Sequence, residues 1–422
     1  MDVIIEKAER LRGAIRVPGD KSIAHRALIL GALADGEQVV DGLPDSQDVR
    51  STARCLRTLG CQVEEVGGLV VVRGEKWIHG QVLDAGNSGT TARLLPGLIA
   101  GRGLDCRIDG DESLRRRPMK RIAEPLMKMG ADVRTRPGGV LPMHIRGGKL
   151  KGIVYRPEVA SAQVKSAVLI AGLHADGATT VIEKVPTRDH TENLLSAMGA
   201  VVGRHNGEVR VAGGTGLQGI RMTIPGDVSS ALFFVVAASL LCGSEIRIRG
   251  VGVNPTRTGA IRILEEMGAA IEFDSVSTRA GEPIADVTVR AASLGGVKIG
   301  GKIIPSLIDE LPVLAVAATQ AQGVTEVCGA GELRHKESDR IRTVAENLVR
   351  LGADIEELEY GFIVRGPCSL RGCAVRSFGD HRIAMAMAVA GLVAEGRTTI
   401  EGSEAVAVSY PRFFSDLWKI AK

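Results

Sequence analysis

One rhythm of apolar and polar positions recurs along the chain. It opens with a strand-like phrase built on Leu-x-Gly or Ile-x-Gly: Leu11-Arg12-Gly13, Ile78-His79-Gly80, Leu150-Lys151-Gly152, Leu217-Gln218-Gly219, Leu294-Gly295-Gly296 and Leu370-Arg371-Gly372. The closing glycines fall 67 to 77 residues apart. After each phrase come a short loop, an Ala/Leu/Val-rich segment long enough for a helix, a glycine and a β-branched run. Gly177-Ala-Thr-Thr-Val-Ile and Gly396-Arg-Thr-Thr-Ile are the clearest of these runs. A second, amphipathic helix follows and ends in Leu-x-x-(Leu/Met)-Gly, at Gly60, Gly130, Gly199, Gly268 and Gly352. A glycine just past the last Leu or Met is a helix stop signal, and the residues beyond it, such as Ala353-Asp-Ile-Glu-Glu and Phe362-Ile-Val, read as a hairpin. The pattern predicts strand, helix, strand, helix and hairpin, repeated.

Five helix-to-hairpin joints appear where six are expected. The last amphipathic helix, Arg412-Phe-Phe-Ser-Asp-Leu-Trp-Lys-Ile, reaches the C-terminus without its hairpin, while strands stand unassigned at the other end, in Asp2-Val-Ile-Ile-Glu and Gly13-Ala-Ile-Arg-Val. The chain is therefore expected to be circularly closed, both N-terminal strands completing the last unit. Leu11-Arg-Gly-Ala-Ile-Arg-Val-Pro-Gly-Asp also resembles Leu217-Gln-Gly-Ile-Arg-Met-Thr-Ile-Pro-Gly-Asp, with Gly19 and Gly226 lying 207 residues apart, the length of three units. Two similar lobes of three units each follow: residues 17–224 form one, and residues 1–16 with 225–422 the other. The active site is expected in the cleft between them.

Composition narrows the class. A chain of 422 residues exceeds one ordinary core, since single cores rarely grow beyond roughly 250 to 300 residues. With 53 Lys and Arg against 49 Asp and Glu, the net charge of +4 is a poor nucleic-acid footprint. The longest apolar stretches, Ala231 to Cys242 and Ile383 to Ala394, fall short of the ~20 residues that cross a bilayer, and no secretory signal is visible, so a cytoplasmic location is expected. Seven cysteines without a C-x-x-C pair read as reduced thiols. Much glycine (53) with few aromatics (7 Phe, 3 Tyr, 2 Trp) suits many tight turns between small repeats and argues against stacking platforms for single-stranded nucleic acid.

The chemistry falls at one station of each repeat. There the loop delivers the chain to a helix N-terminus, where free N–H groups and about half a positive charge attract anions. The stations read Gly19-Asp-Lys21-Ser22-Ile-Ala-His25-Arg26, Gly86-Asn87-Ser-Gly89-Thr90-Thr-Ala-Arg93, Ser161-Ala-Gln163-Val-Lys165, Gly226-Asp-Val-Ser-Ser, Ile308-Asp309-Glu310 and Gly379-Asp-His381-Arg382. Any one of them alone reads as N-cap and turn chemistry; recurrence in register points to anion binding, with Lys and Arg adding full charges. Two runs lie outside the stations. Arg115-Arg116-Arg117-Pro118 reads equally as a solvated charge run. Glu332-Leu-Arg334-His-Lys336-Glu337-Ser-Asp339-Arg340 mixes carboxylates with cations, as proton transfer beside a bound anion requires. Gly296-Val-Lys-Ile-Gly-Gly301-Lys302-Ile303 imitates a P-loop, but Ile303 stands in place of the Ser/Thr, and a hairpin is expected there. The eight histidines show no H-x-x-x-H or H-x-H spacing, so no metal site is expected.

Taken in order, Pro18-Gly-Asp-Lys-Ser-Ile-Ala-His-Arg26, Gly86-Asn-Ser-Gly-Thr-Thr-Ala-Arg93, Arg116-Arg117-Pro118-Met119, Ser161-Ala-Gln163, Thr187-Arg188-Asp189-His190, Lys336-Glu-Ser-Asp-Arg340 and Gly379-Asp-His-Arg382 resemble the 5-enolpyruvylshikimate-3-phosphate (EPSP) synthase family, in its class often less sensitive to glyphosate. The resemblance spans nearly the whole chain. It implies an α/β fold of two lobes, each of three βαβαββ units with inward helix N-termini, an inside-out α/β barrel. It also implies transfer of the enolpyruvyl group of phosphoenolpyruvate to the 5-hydroxyl of shikimate 3-phosphate, by a monomer without metal or organic cofactor. By resemblance, Lys21, Ser22, Arg26, Ser161, Gln163, Arg188, Asp309 and Lys336 bind shikimate 3-phosphate. Lys21, Gly89, Arg117, Gln163, Arg340 and Arg382 surround phosphoenolpyruvate, and Asp309, Glu337 and Lys21 are the catalytic candidates. Four positions depart from the pattern: Ala24 and Ala162 replace serines, Leu94 stands where the sensitive class has Pro, and Val408 stands where that class has a phosphate-binding Lys. Two rivals remain. One is the related transferase acting on UDP-N-acetylglucosamine, which places Cys or Asp in the loop matching Gly110 to Arg117, where this chain has Asp111. The other is a non-catalytic anion-binding protein, which would need neither Asp309 nor Glu337.

Overall fold

In the computed structural model, which describes residues 1–422, the five stop-signal glycines all adopt positive φ: Gly60 at 92°, Gly130 at 108°, Gly199 at 93°, Gly268 at 100° and Gly352 at 93°. Each follows an amphipathic helix (Gln47–Thr58, Lys120–Met129, His190–Ala197, Gly259–Glu266, Arg340–Arg350) and precedes a two-stranded antiparallel hairpin. A side chain at these positions would pay the left-handed penalty that glycine avoids.

The chain forms two units. Unit 1 comprises Met1–Pro18, Pro225–Ser277 and Pro283–Lys422; unit 2 comprises Gly19–Ile224 and Thr278–Glu282. Within each, a parallel strand pair joined through a helix continues into a hairpin that extends the same sheet. In unit 2, Gln81–Asp84 pairs parallel with Asp105–Asp109, which pairs antiparallel with Val140–Arg146, itself paired with Asp132–Arg136. The two other four-stranded sheets of unit 2 and two of the three sheets in unit 1 repeat that order, giving the βαβαββ periodicity of an α/β fold. The parallel pairs explain the glycine of the opening phrase at Gly152, Gly219, Gly296 and Gly372. A Cβ on Gly152 would lie 2.2 Å from the carbonyl oxygen of Ala178, and one on Gly372 2.4 Å from that of Arg397, so only glycine lets the phrase enter the sheet.

Circular closure takes a different form from the one expected. Asp2–Glu6 does complete the last sheet, pairing antiparallel with Arg397–Glu401. Arg12–Ile15 does not: it pairs parallel with Glu245–Gly252 and opens the first repeat of unit 1, leaving the last sheet with three strands. Unit 2 closes likewise, through Arg221–Thr223 beside Gln38–Asp41. The P-loop-like run is no hairpin either. Lys298–Ile299 is a short strand, and Gly301–Ser306 a 3-10 turn containing Pro305, whose missing N–H suits a turn better than a ladder.

The helices that open at the six stations are Lys21–Leu33, Gly89–Gly101, Ala162–Gly172, Val228–Leu240, Leu311–Gln320 and His381–Val393. All are apolar nearly all round and almost wholly buried, as expected of helices that form a core. In unit 2 the second and third approach backbone to backbone: a Cβ on Gly97 would sit 2.3 Å from the Ala167 carbonyl oxygen. Unit 1 concentrates its scarce aromatics, with Phe233, Phe234, Tyr410 and Phe413 in mutual edge and tilted contact. No helix is long and apolar enough to cross a membrane.

Candidate active site

Burial of the station helices forces their polar side chains toward the N-terminal ends. In five stations the motif's Asp or Ser caps its own helix: Asp20 accepts from Ile23 N at 2.9 Å, Ser88 from Thr91 N at 3.2 Å, Ser161 from Val164 N at 3.4 Å, Asp227 from Ser229 N at 2.9 Å and Asp380 from Arg382 N at 2.9 Å. The ordinary capping reading therefore holds for these residues. It frees the cations beside them for other work.

In unit 2, Lys21, Ser22, Arg26 and Arg188 form one group. Arg26 is 2% exposed and donates only to neutral acceptors: Nε to Thr191 Oγ1 at 2.7 Å, Nη1 to the Ser22 carbonyl at 2.9 Å and Nη2 to Ser166 Oγ at 2.7 Å. Burial lowers its pKa to about 10; Glu192 opposes the shift and Arg188 adds to it, so the guanidinium stays charged at neutral pH. Arg188 Nη1 donates to Ser22 Oγ at 3.3 Å. Lys21 has a counter-ion that the motif did not reveal, Asp48, 2.7 Å from its Nζ.

The second group in this unit gathers around Gly89. A Cβ there would meet Arg93 Nη1 at 3.2 Å and Arg117 Nη1 at 3.4 Å, so the missing side chain makes room for two guanidiniums. Arg93 Nη1 donates to Gln163 Oε1 at 2.9 Å, and Gln163 Nε2 to Thr90 Oγ1 at 3.1 Å. Arg117 Nη2 donates to Asn87 Oδ1 at 2.7 Å. Ser161, two residues before Gln163, starts the neighbouring helix. Arg115 and Arg116 divide from Arg117 as a solvated run would: Arg115 pairs with Asp109, and Arg116 is exposed beside Glu112. Asp111 accepts from Leu114 N at 2.8 Å and from Asn87 Nδ2 at 2.6 Å, a turn-capping role.

In unit 1, Asp309, Lys336, Glu337, Arg340 and Arg382 lie together. Arg340 is 1% exposed and meets three carboxylates: Nε donates to Asp380 Oδ2 at 2.7 Å, Nη1 to Asp309 Oδ1 at 3.2 Å and Nη2 to Glu337 Oε2 at 2.5 Å. Burial disfavours its charge, but Asp380, Glu337 and Asp309 together outweigh that and raise its pKa. Lys336 Nζ shares Asp309 Oδ1 at 3.1 Å. Arg382 Nη1 donates to the Asp309 carbonyl at 3.0 Å and to Glu310 Oε1 at 3.1 Å. Arg340 is thus a saturated hub, whereas the Nε and Nη2 of Arg382 have no protein partner.

The sequence motifs contain Arg93 and Asp380 but gave them no role, and they do not include Asp48. The role of Arg93 was detectable, because it sits one helical turn after Gly89 and so shares its face; those of Asp48 and Asp380 required the fold. Of the four departures, Ala24 and Leu94 are fully buried core positions, Ala162 is half-buried at the start of its helix, and Val408 is half-buried at the end of the 3-10 turn Ser403–Val408. His25 is buried with Nδ1 2.7 Å from Thr52 Oγ1, and burial together with Lys21 and Arg26 keeps its pKa well below the usual value. One group has metal-ligand geometry, Asp189, His190 and Glu282. Its members already serve each other and their neighbours: His190 Nδ1 and Glu282 Oε1 are 2.8 Å apart, and Arg204 Nη1 donates to Asp189 Oδ2 at 3.3 Å.

The family model described as EPSP synthase (3-phosphoshikimate 1-carboxyvinyltransferase) matches residues 5–417. A Bacillus cereus (strain B4264) protein named 3-phosphoshikimate 1-carboxyvinyltransferase is 48% identical over 418 residues, covering 98% of this chain and 97% of the relative. The same name, identity and coverage hold for a protein of Bacillus thuringiensis (strain Al Hakam). The solved EPSP synthase of Acinetobacter baumannii superposes with a TM-score of 0.89 at 40% identity, covering 100% of this chain and 98% of the other. The enolpyruvyl transferase NikO of Streptomyces tendae, at 21% identity and a TM-score of 0.82 with the same coverage, shares the fold. The chain belongs to the EPSP synthase family.

Proposed function

We propose that this chain transfers the enolpyruvyl group of phosphoenolpyruvate to the 5-hydroxyl of shikimate 3-phosphate and releases phosphate. The observation that carries the reading is Arg26, a buried guanidinium with only neutral acceptors in contact. Glu192 acts on this charge without a hydrogen bond to it, so a bound anion adds the direct pairing that the neutral acceptors do not give, and a sugar-like phosphate fits the hydroxyl-rich surroundings. Lys21, Ser22, Arg26, Ser161, Gln163 and Arg188, with Asp309 and Lys336, take shikimate 3-phosphate. Lys21, Gly89, Arg117 and Gln163, with Arg340 and Arg382, take phosphoenolpyruvate; Arg340 acts there through the carboxylates it holds, and Arg382 through its open edge.

The chemistry adds a proton to the methylene carbon, giving an oxocarbenium-like centre, while a base takes the proton of the attacking 5-hydroxyl. Elimination then expels phosphate as the new methyl group returns a proton. Asp309 takes the hydroxyl proton and passes it to the departing phosphate; Glu337, entering protonated, gives its proton to the methylene carbon and takes one back from the methyl group; Lys21 is the third catalytic group. Asp309 and Glu337 both contact the Arg340 guanidinium, which fixes their relative position.

Phosphate release in the presence of each substrate alone, of both, and of phosphoenolpyruvate with UDP-N-acetylglucosamine tests the reading. Release is expected only with phosphoenolpyruvate plus shikimate 3-phosphate. Release with the nucleotide sugar would assign the related transferase activity instead, and binding without release would assign a non-catalytic protein.

A further inference from the structure

Arg382 and Arg340 are both buried guanidiniums in unit 1, yet their surroundings differ in kind. Every nitrogen of Arg340 is committed to a carboxylate, whereas Arg382 is held by one nitrogen only, Nη1, which bonds the Asp309 carbonyl and Glu310 Oε1. The Nε and Nη2 edge of Arg382, the pair of parallel donors that grips a carboxylate or phosphate, is left open. Glu310 is therefore placed to aim that edge. Its carboxylate is 1% exposed, and Oε2 is buried with no hydrogen-bond partner, an expensive arrangement for a residue with no task.

What tolerates this buried anion is a chain of contacts across three helix starts. Ser229, at the beginning of Val228–Leu240, donates its hydroxyl to Glu310 Oε1 and accepts from Arg257 Nη2 at 2.5 Å. Arg257 Nη2 also donates to Asp227 Oδ1, the cap of that helix, at 3.1 Å. Glu310 itself precedes Leu311–Gln320, and Arg382 lies in the first turn of His381–Val393. Helix N-termini, the Arg382 guanidinium in direct contact and the Arg257 guanidinium acting through Ser229 thus support one carboxylate. The same carboxylate cancels charge on Arg382 and prevents its side chain from swinging.

We propose that Glu310 is a positioning residue for the anionic co-substrate: it acts through Arg382, fixing Nη1 so that Nε and Nη2 face phosphoenolpyruvate. This rests on the reading of Arg382 given under the proposed function. Asp309, its neighbour, does the chemistry; Glu310 sets the affinity.

The test is steady-state kinetics of Glu310→Gln, Ser229→Ala, Arg382→Lys and the double variant Glu310→Gln/Arg382→Lys, each checked for a native circular dichroism spectrum and melting curve. Glu310→Gln is expected to raise KM for phosphoenolpyruvate about tenfold while leaving KM for shikimate 3-phosphate within about twofold. Ser229→Ala, which unpins Glu310 with less disturbance, is expected to shift the same constant in the same direction, and it carries the test should Glu310→Gln not fold. In the Arg382→Lys background, Glu310→Gln is expected to add little, because the group it positions is gone. Full additivity, an unchanged or lowered KM for phosphoenolpyruvate, or an equal rise in both KM values would overturn the positioning role. If Arg382→Lys itself left phosphoenolpyruvate kinetics unchanged, the assignment of Arg382 would fall and the proposal with it, an outcome distinct from failure at Glu310 alone.

Discussion

Replacing Asp309 by Asn changes one atom's chemistry and little else. Asp309 is mostly buried, with Oδ1 shared by Lys336 Nζ at 3.1 Å and Arg340 Nη1 at 3.2 Å. The amide oxygen of Asn accepts both bonds in the same geometry, and Arg340 keeps Asp380 and Glu337 as counter-ions. The Lys336 pair is partly exposed, so weakening it costs about 1 kcal/mol of stability at most. Substrate affinity should therefore change by a few-fold at most. Turnover is a different matter, because an amide nitrogen does not accept the proton of the attacking hydroxyl. General base catalysis contributes roughly 10²- to 10⁴-fold, equivalent to about 3 to 5 kcal/mol in the barrier. Continuous phosphate-release kinetics, varying each substrate against saturating partner, separates the two effects. The expected result is kcat reduced by two orders of magnitude or more with both KM values nearly constant. Turnover near that of the unaltered protein would remove Asp309 from the mechanism; a large rise in KM for shikimate 3-phosphate at constant kcat would make it a binding group only.

Gly89→Ala would press a methyl group against Arg93 Nη1 and Arg117 Nη1, at 3.2 and 3.4 Å; since these are ends of long side chains that yield, the penalty lies near the lower end of overpacking, about 1 kcal/mol, read as a roughly fivefold rise in KM for phosphoenolpyruvate and a parallel loss of glyphosate inhibition. Unchanged constants for both ligands would show that Gly89 does not adjoin their site. His174 makes a prediction about pH: burial, helped by Arg102, lowers its pKa from 6.5 to about 4, and its Nε2 is buried without a partner. The unfolded chain binds the proton more readily, so stability is lost as pH falls from 6.5 toward 4, by on the order of 2 kcal/mol after allowing for partial exposure. Urea unfolding of His174→Gln should show a shallower decline over that window; an identical slope would refute the assignment.

The repeat was legible because its signals are local. A helix that stops at a left-handed residue needs glycine at that residue, and a strand that touches its neighbour's backbone needs glycine at Gly152 and Gly372, whatever the rest of the chain does. Strand pairing across long separations was not legible. Arg12–Ile15 looks like an edge strand for either end of unit 1, and only the sheet as a whole decides that it joins Glu245–Gly252. The run at Gly296 misled for a related reason: glycines at hairpin spacing are also what a short strand and a 3-10 turn require. At the site, residue types were legible and their environments were not. Arg340 and Arg382 are the same letter in similar motifs, and nothing in the sequence says that one meets three carboxylates while the other keeps an edge open.

That difference bears on how the proposed chemistry handles charge. Anion binding needs cations with neutral local partners or with donors still open, so that the ligand completes the pairing; Arg26, bonded to two hydroxyls and a carbonyl, is of the first kind, and Arg382, with its Nε and Nη2 edge open, of the second. Proton transfer needs the opposite, carboxylates whose total charge is already balanced before and after the step. Asp309, Glu337 and Asp380 surround Arg340, and Asp380 is fully buried and held ionised: burial resists its charge, but Arg340 and the neighbouring His381 outweigh that and lower its pKa. Under the proposed roles Glu337 enters the step protonated and Asp309 ionised, so a proton arriving at Asp309 from the hydroxyl while one leaves Glu337 for the methylene carbon keeps the sum of charges around Arg340 constant. Neither transfer then has to create an unpaired charge in a buried site, which would cost several kcal/mol. Under those roles, the saturation of Arg340 suits it to link the two proton transfers.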